Sequence, residues 1–130
     1  MNPKHHTSLK IAKQLVEAGI VIESESQWEV GGKLSGKQNA TLVLRNRPPS
    51  FVSADSAWSF YPAPIATEIM EWFPRGYDFG FELIKLGEGY GAICKDYRVM
   101  PYERIGFTKD DNAPNALALL LIRLTKDGLI

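Results

Sequence analysis

Apolar residues recur at helical spacing near the start of the chain. The residues of this stripe lie three or four positions apart on one helix face: Leu9, Ala12, Leu15 and Val16. Thr7 or Ser8 can cap this helix, and Gly19 can take the left-handed conformation that follows many helix ends. We therefore predict a first helix over residues 8–18, followed by an extended apolar segment at residues 20–22.

The middle of the chain alternates between short extended segments and turn residues. Residues 27–30 and 40–44 favour strands joined by a glycine-containing loop, which indicates a loose hairpin or an insertion. Prolines flank an aromatic segment over residues 51–61, in which residues 58–61 are the predicted strand. A second helix is predicted from Pro64, where a missing N–H costs nothing, to Phe73, and Pro74 ends it.

The strongest hairpin pattern covers residues 79–97. Apolar and polar positions alternate from Phe79 to Leu86, and residues 90–97 supply the partner strand across Gly87, Glu88 and Gly89. A strand follows these glycines, so they indicate a hairpin turn; in a phosphate-binding loop a helix would follow. The final helix begins near Pro114, carries a leucine stripe and ends before Gly128.

These elements predict an α+β fold over residues 1–130 as a single domain. Three helices pack on one small antiparallel sheet in two layers, with the 79–97 hairpin at its centre. The order of the strands stays open at this point. Residues 1–7 are expected to form a flexible tail.

The composition is that of a globular chain with balanced charge. The chain has 130 residues, 45% of them hydrophobic, with 15 Lys and Arg against 15 Asp and Glu. The longest apolar run, residues 116–122, is too short to span a membrane, and no uncharged signal-peptide core precedes it. With Cys94 as the single cysteine, these features predict a cytoplasmic protein without a membrane partner.

The balanced charge argues against nucleic acid as the partner, because nucleic-acid affinity comes largely from neutralised phosphates. Basic residues are nonetheless concentrated in residues 33–47, where no acid lies between them: Lys33, Lys37, Arg45 and Arg47. This stretch is either a solvated loop or a weak contact to phosphates.

Few residues suggest catalytic or metal chemistry. His5 and His6 are adjacent but lack a third ligand at a recognisable spacing, so neither a metal nor another cofactor is predicted. Cys94 is predicted to be a buried and inert thiol, and Asp110 and Asp111 to interact with the positive end of the last helix. A small enzyme stays an alternative if five acids converge in a cleft between the hairpin and helix two: Glu68, Glu71, Asp78, Glu82 and Asp96.

The leading hypothesis is a non-enzymatic accessory or protein-binding module without catalytic residues. The last helix and the aromatic middle segment carry more apolar surface than a small two-layer fold needs for its core. Surplus apolar surface often marks an interface. The partner is another protein or a second copy of the chain. The predicted anchors are aromatic residues, which dominate interface energies: Trp58, Tyr61, Trp72 and Tyr90.

Two resemblances concern the second half of the chain. Residues 63–69, an aromatic hairpin and a closing helix that carries residues 115–120 resemble small phage and prophage proteins of unknown function. That resemblance implies an origin in a mobile element and names no catalytic residue. The hairpin followed by an alanine-rich helix is also similar, more distantly, to HicB-like antitoxin domains, which implies a toxin as the partner.

Overall fold

The computed structural model describes residues 2–31, 39–44 and 59–130 of the chain. These residues form a short 3-10 helix, three α-helices and six strands. In chain order they are the 3-10 helix Pro3–His5, α1 Leu9–Glu17, β1 Ser26–Gly31, β2 Asn39–Leu44, β3 Ser59–Pro62, α2 Ala66–Met70, β4 Phe79–Leu86, β5 Gly89–Asp96, β6 Glu103–Asp110 and α3 Ala113–Lys126.

The strands form two antiparallel sheets of three strands each. The first has the order β2-β1-β3 and the second the order β4-β5-β6. The α+β class with three α-helices is confirmed, whereas the prediction of one sheet is wrong. Alternation along a strand shows which side chains share a face, but it does not identify the neighbouring strand; only a short turn does that.

The predicted hairpin is present as β4 and β5. Leu86 pairs with Gly89, so Gly87 and Glu88 form the turn, and Gly87 has a φ of +54° that favours glycine. On the inner face of the second sheet, Phe79 and Phe81 pack against the core, as the alternation predicts. Local turn chemistry and alternation therefore specify this pair of strands correctly.

The strand β6 is absent from the sequence-based prediction. Its inward position opposite Cys94 is occupied by Gly106, and a Cβ atom at that glycine would lie 2.9 Å from Leu120 Cδ1. The helix therefore packs directly against the strand backbone at this point. The inward residue is glycine and Phe107 lies on the opposite face. The sequence of β6 therefore lacks the alternation of apolar and polar residues that predicts a strand.

The helix α3 is the central element of the core. Its inward leucines are at most 1% exposed: Leu117, Leu120, Leu121 and Leu124. The helix packs on β5 and β6 on one side and on α1 and α2 on the other. Asn112 caps it by accepting a hydrogen bond from the backbone N–H of Asn115 at 2.7 Å, and Pro114 follows in the first turn.

The segment before α1 is attached to α3 by polar contacts. Where the sequence predicts a tail, His6 and Thr7 are buried, and Asn112 Nδ2 donates to His6 O at 2.8 Å. The Ser8 backbone N–H donates to Asn115 Oδ1 at 2.8 Å. Two asparagines at the start of α3 therefore fix residues 6–8, although nothing in the sequence pairs these distant positions.

The remaining helices differ from their predicted bounds. The helix α1 and its Ser8 cap agree with the prediction, but residues 20–22 after it form no strand, and Ile20 and Ile22 are buried in a loop. The helix α2 is shorter than predicted. After Met70 the backbone hydrogen bonds join residues three positions apart, as in a 3-10 helix. The chain turns here, and the centroid of the Phe73 ring lies 4.5 Å from that of Phe81.

The substitution Leu120→Ala tests the central role of α3. Leu120 is fully buried against β6, so we expect a loss of about 2–5 kcal/mol in the free energy of unfolding, measured by urea denaturation. The control Val21→Ala, at a side chain that is 60% exposed, should change the free energy by less than about 0.5 kcal/mol. Equal effects of the two substitutions would contradict this assignment of the core.

Candidate functional site

Five large apolar side chains are exposed together at one end of the second sheet. One precedes β4 and the other four lie between β5 and β6: Tyr77, Tyr97, Val99, Met100 and Tyr102. The backbone N–H of Tyr97 donates to Asp78 O at 2.8 Å, so the two loops lie side by side. We call these five residues the apolar tip.

The exposure of the apolar tip is large for residues of this type. Tyr77 is 99% exposed and Met100 is 93% exposed, while the other three side chains are between 42% and 53% exposed. Single exposed apolar residues are ordinary in folded proteins, whereas several of them in adjacent loops at one end of a sheet favour an interaction site. The apolar tip is therefore the candidate protein-binding surface.

An ion pair holds the base of the apolar tip. The Asp96 carboxylate accepts hydrogen bonds from Arg98 Nε, Arg98 Nη2 and the Arg98 backbone N–H, each at 3.0 Å. The Arg98 guanidinium and then its backbone N–H hold the pKa of Asp96 below its usual range. Since the side chain of Asp96 is buried and that of Arg98 half exposed, this pair fixes the turn from which Val99 and Met100 project.

Two rings of the apolar tip, those of Tyr97 and Tyr102, are supported by the outer face of the sheet. The Tyr97 ring lies directly over Gly80, where a Cβ atom would collide with it, and its centroid is 5.8 Å from that of Tyr102. Lys95 Nζ lies 4.7 Å from the centroid of Tyr102 and 2.9 Å from Glu82 Oε1. The hydrogen bond to Glu82 raises the pKa of Lys95, so the cation beneath the ring stays charged.

A second candidate site is a groove of about 680 Å³ on the same domain. Residues from the first turn of the chain, the start of α2, the β4–β5 hairpin and the start of α3 surround it. Lys4, Lys85, Glu88 and Asp111 place charged side chains on its walls, and His6 and the half-buried Tyr90 also line it. The groove is in the size range of small-molecule sites.

The predicted aromatic anchors lie in different parts of the fold. Tyr61 is half-buried in β3, with Lys13 Nζ 5.7 Å from its centroid. Trp72 is 45% exposed in the turn after α2. Tyr90 lies in the groove, with Lys85 Nζ 4.3 Å from its centroid. Trp58 lies outside the described residues.

The predicted basic stretch falls mainly on positions that the structure does not describe. Lys33, Lys37, Arg45 and Arg47 all lie outside the described residues. Residues 39–44 between them form β2, which pairs with β1. Weak nucleic-acid binding through this stretch stays a prediction.

The five acids of the predicted cleft have separate surroundings. Glu68 accepts hydrogen bonds from Ser24 Oγ and from the Ile65 backbone N–H, both at 2.9 Å. Glu82 binds Lys95, and Asp96 binds Arg98. Glu71 and Asp78 are exposed. Three of the five carboxylates thus hold structural partners on different elements.

The other candidates for metal or nucleophilic chemistry also have structural surroundings. In residues 2–31, 39–44 and 59–130, no group of three or more His, Cys, Asp or Glu side chains could hold a metal ion. Asp110 Oδ1 accepts hydrogen bonds from the Asn112 backbone N–H and from Asn115 Nδ2, both at 3.1 Å. This contact at the start of α3 agrees with the predicted interaction of Asp110 with that helix end.

The apolar tip itself is missing from the sequence-based prediction. Val99, Met100 and Tyr102 surround Pro101, and this proline indicated only a break between elements. A usable signal was present: residues 99–102 carry three large apolar side chains within four positions, outside every predicted strand. Without β6 in the prediction, their place at the end of a sheet could not be deduced.

No family model, curated protein or solved structure matches the chain. Within the described part of the chain, no helix is long and apolar enough to cross a membrane.

The pH dependence of stability tests the ion pair at the base of the apolar tip. Because the pKa of Asp96 is lowered in the folded state, the charged carboxylate stabilises the fold at pH values above the ordinary pKa of Asp. This stability is lost as the pH falls through the folded pKa, below about 4. We expect the pH dependence of the free energy of unfolding to become shallower in Asp96→Asn and in Arg98→Met, as measured by urea denaturation between neutral and acidic pH. An unchanged slope in both variants would contradict the ion pair.

Alkylation of the single cysteine tests its surroundings. Burial first, and the charge of Asp96 second, raise the pKa of Cys94, and the side chain is 1% exposed. The thiolate is the reactive form. We therefore expect iodoacetamide to modify the native protein far more slowly than the denatured protein, as followed by mass spectrometry. Equal rates would show that Cys94 is accessible in the native fold.

Proposed function

We propose that the chain is a non-enzymatic protein-binding module and that the apolar tip is its contact surface. The observation that carries this proposal is the exposure of Tyr77 and Met100, at 99% and 93%, beside three further apolar side chains. Tyrosine and methionine are enriched in the centres of protein interfaces. Side chains this exposed gain the most burial when a partner covers them.

The partner that fits this surface is another protein with an apolar pocket. Side chains that are almost fully exposed project from the surface, and a projecting group is complementary to a concave receptor. Four charged groups next to the apolar tip are paired within the chain, Asp96 with Arg98 and Glu82 with Lys95. Shape and apolar contact, more than charge, therefore set the specificity that we propose.

Preorganisation supports the same proposal. The Asp96–Arg98 pair and the hydrogen bond from Tyr97 to Asp78 fix the backbone directly before Val99 and Met100 and directly after Tyr77. Binding then requires little additional ordering of the loop, which lowers the entropic cost of association.

The biological setting is part of the proposal. We infer that the protein is an accessory protein of phage type that acts in the cytoplasm. A toxin is one partner class, as the similarity of the second half of the chain to HicB-like antitoxins implies. The single buried thiol fits a reducing compartment.

Comparative capture from host lysate tests the contact surface. We expect the unaltered protein to retain a specific partner, and the double variant Tyr77→Ala, Met100→Ala to retain at least about tenfold less of it, because the two most exposed side chains of the apolar tip are removed. Both side chains are almost fully exposed, so the fold should stay intact. Quantitative mass spectrometry measures the retained amount, and circular dichroism checks the fold.

A matched control uses two exposed apolar residues away from the apolar tip. Val21 and Leu44 are 60% and 55% exposed, so the double variant Val21→Ala, Leu44→Ala should retain the partner like the unaltered protein. If both double variants retain the same proteins in the same amounts, the apolar tip is not the contact surface and the proposal fails.

A further inference from the structure

We propose that Met100 is a redox switch of the apolar tip: a peroxide oxidises it to methionine sulfoxide, which weakens binding of the partner. This inference rests on the proposed function, because it concerns the control of the same contact surface. The chain has three methionines and one cysteine, each with an oxidisable sulfur atom. Met1 lies outside the described residues. The surroundings of Met70, Cys94 and Met100 determine which of these three a peroxide oxidises first.

Met100 is the most accessible of these three side chains. It is 93% exposed, whereas Met70 is 37% exposed and lies at the end of α2. Oxidation requires a direct encounter between the sulfur atom and the oxidant, so its rate rises with the exposure of the side chain. A peroxide in solution therefore reaches Met100 first.

Cys94 does not compete for the oxidant in the native fold. It is 1% exposed, and burial first and the charge of Asp96 second raise the pKa of its thiol. The thiolate is the form that a peroxide oxidises, so both burial and protonation protect this sulfur atom. The fold thus shields its cysteine and exposes Met100 to solvent.

The oxidation transfers one oxygen atom to the methionine sulfur. A lone pair of the sulfur attacks one oxygen of hydrogen peroxide, a sulfur–oxygen bond forms and the oxygen–oxygen bond breaks. The second oxygen leaves as hydroxide and takes the proton of the transferred oxygen, which gives water. The sulfur loses two electrons and the peroxide gains them. A reductase reverses the step with two thiols, which become a disulfide while the oxygen leaves as water.

The added oxygen changes the apolar tip without changing its support. Methionine sulfoxide is polar, so a partner that covers this position with apolar atoms must bury a hydrogen-bond acceptor without a donor. The turn before Met100 is held by hydrogen bonds from Arg98 to Asp96, which do not involve the methionine side chain. The fold therefore stays intact while the apolar contact becomes weaker.

Peptide mapping by mass spectrometry tests the selectivity. After brief treatment of the full-length protein with hydrogen peroxide, we expect Met100 to be oxidised at least about threefold faster than Met70. Cys94 should stay unmodified. In the denatured protein, the two methionines should react at equal rates. Equal rates in the native protein, or oxidation of Cys94 before Met100, would overturn the proposal.

Retention on a phenyl matrix measures the effect on the apolar tip without a partner. The oxidised protein should elute earlier in a falling salt gradient, and a methionine sulfoxide reductase with dithiothreitol should restore the original elution. Met100→Leu keeps an apolar side chain of similar volume, so peroxide should not shift its elution. The matched control Met70→Leu should shift like the unaltered protein. The proposal fails if the unaltered protein does not shift, or if Met100→Leu shifts equally.

Capture from desalted host lysate distinguishes failure of the switch from failure of the proposed function. The oxidised protein should retain about tenfold less of the partner than the untreated protein, and Met100→Leu should retain equal amounts before and after treatment. If the double variant Tyr77→Ala, Met100→Ala loses the partner but the oxidised protein keeps it, the switch is overturned and the proposed function stands. If the double variant keeps the partner, both fail.

Discussion

Burial of the leucine face of α3 is the interaction on which the rest of the structure depends. The helix covers the inner face of β5 and β6, and its other side receives α1 and α2. The first sheet joins this core through α1, which packs against β3. Gly106 allows the helix to approach the strand closely, so the position of β6, and with it the loop that carries the apolar tip, follows from this packing.

The start of α3 adds polar contacts to this apolar core. Asn112 and Asn115 each bind both within the helix end and to residues 6–8, which attaches the first turn of the chain to the end of the helix. These contacts also fix His6, which lines the groove. The groove therefore depends on the attachment of the first turn to the start of α3. The two candidate sites thus lie on one rigid core, the groove beside the start of α3 and the apolar tip at the loop between β5 and β6.

Local chemistry made part of this structure predictable. Capping residues, turn glycines and apolar periodicity identify α1, α3 and the β4–β5 hairpin, because each signal lies within a few residues of the element that it specifies. The division into two sheets, the strand β6 and the buried state of His6 depend on distant pairs such as Gly106 with Leu120 and His6 with Asn112. A single sequence does not reveal such pairs. The apolar tip was missed for the same reason. Four of its residues lie between β5 and β6, so their place at the end of a sheet can be deduced only when β6 is known.

The claim that an ordered base presents a projecting apolar surface is tested most directly by amide hydrogen exchange of the free protein, resolved by residue with nuclear magnetic resonance. The amides of Tyr97 and Arg98 donate to Asp78 O and to Asp96 Oδ1, so they should exchange slowly, while those of Val99 and Met100 at the exposed end should exchange fast. Uniformly fast exchange from Tyr97 to Tyr102 would contradict the account, because the loop would then have no ordered base from which to present the apolar tip.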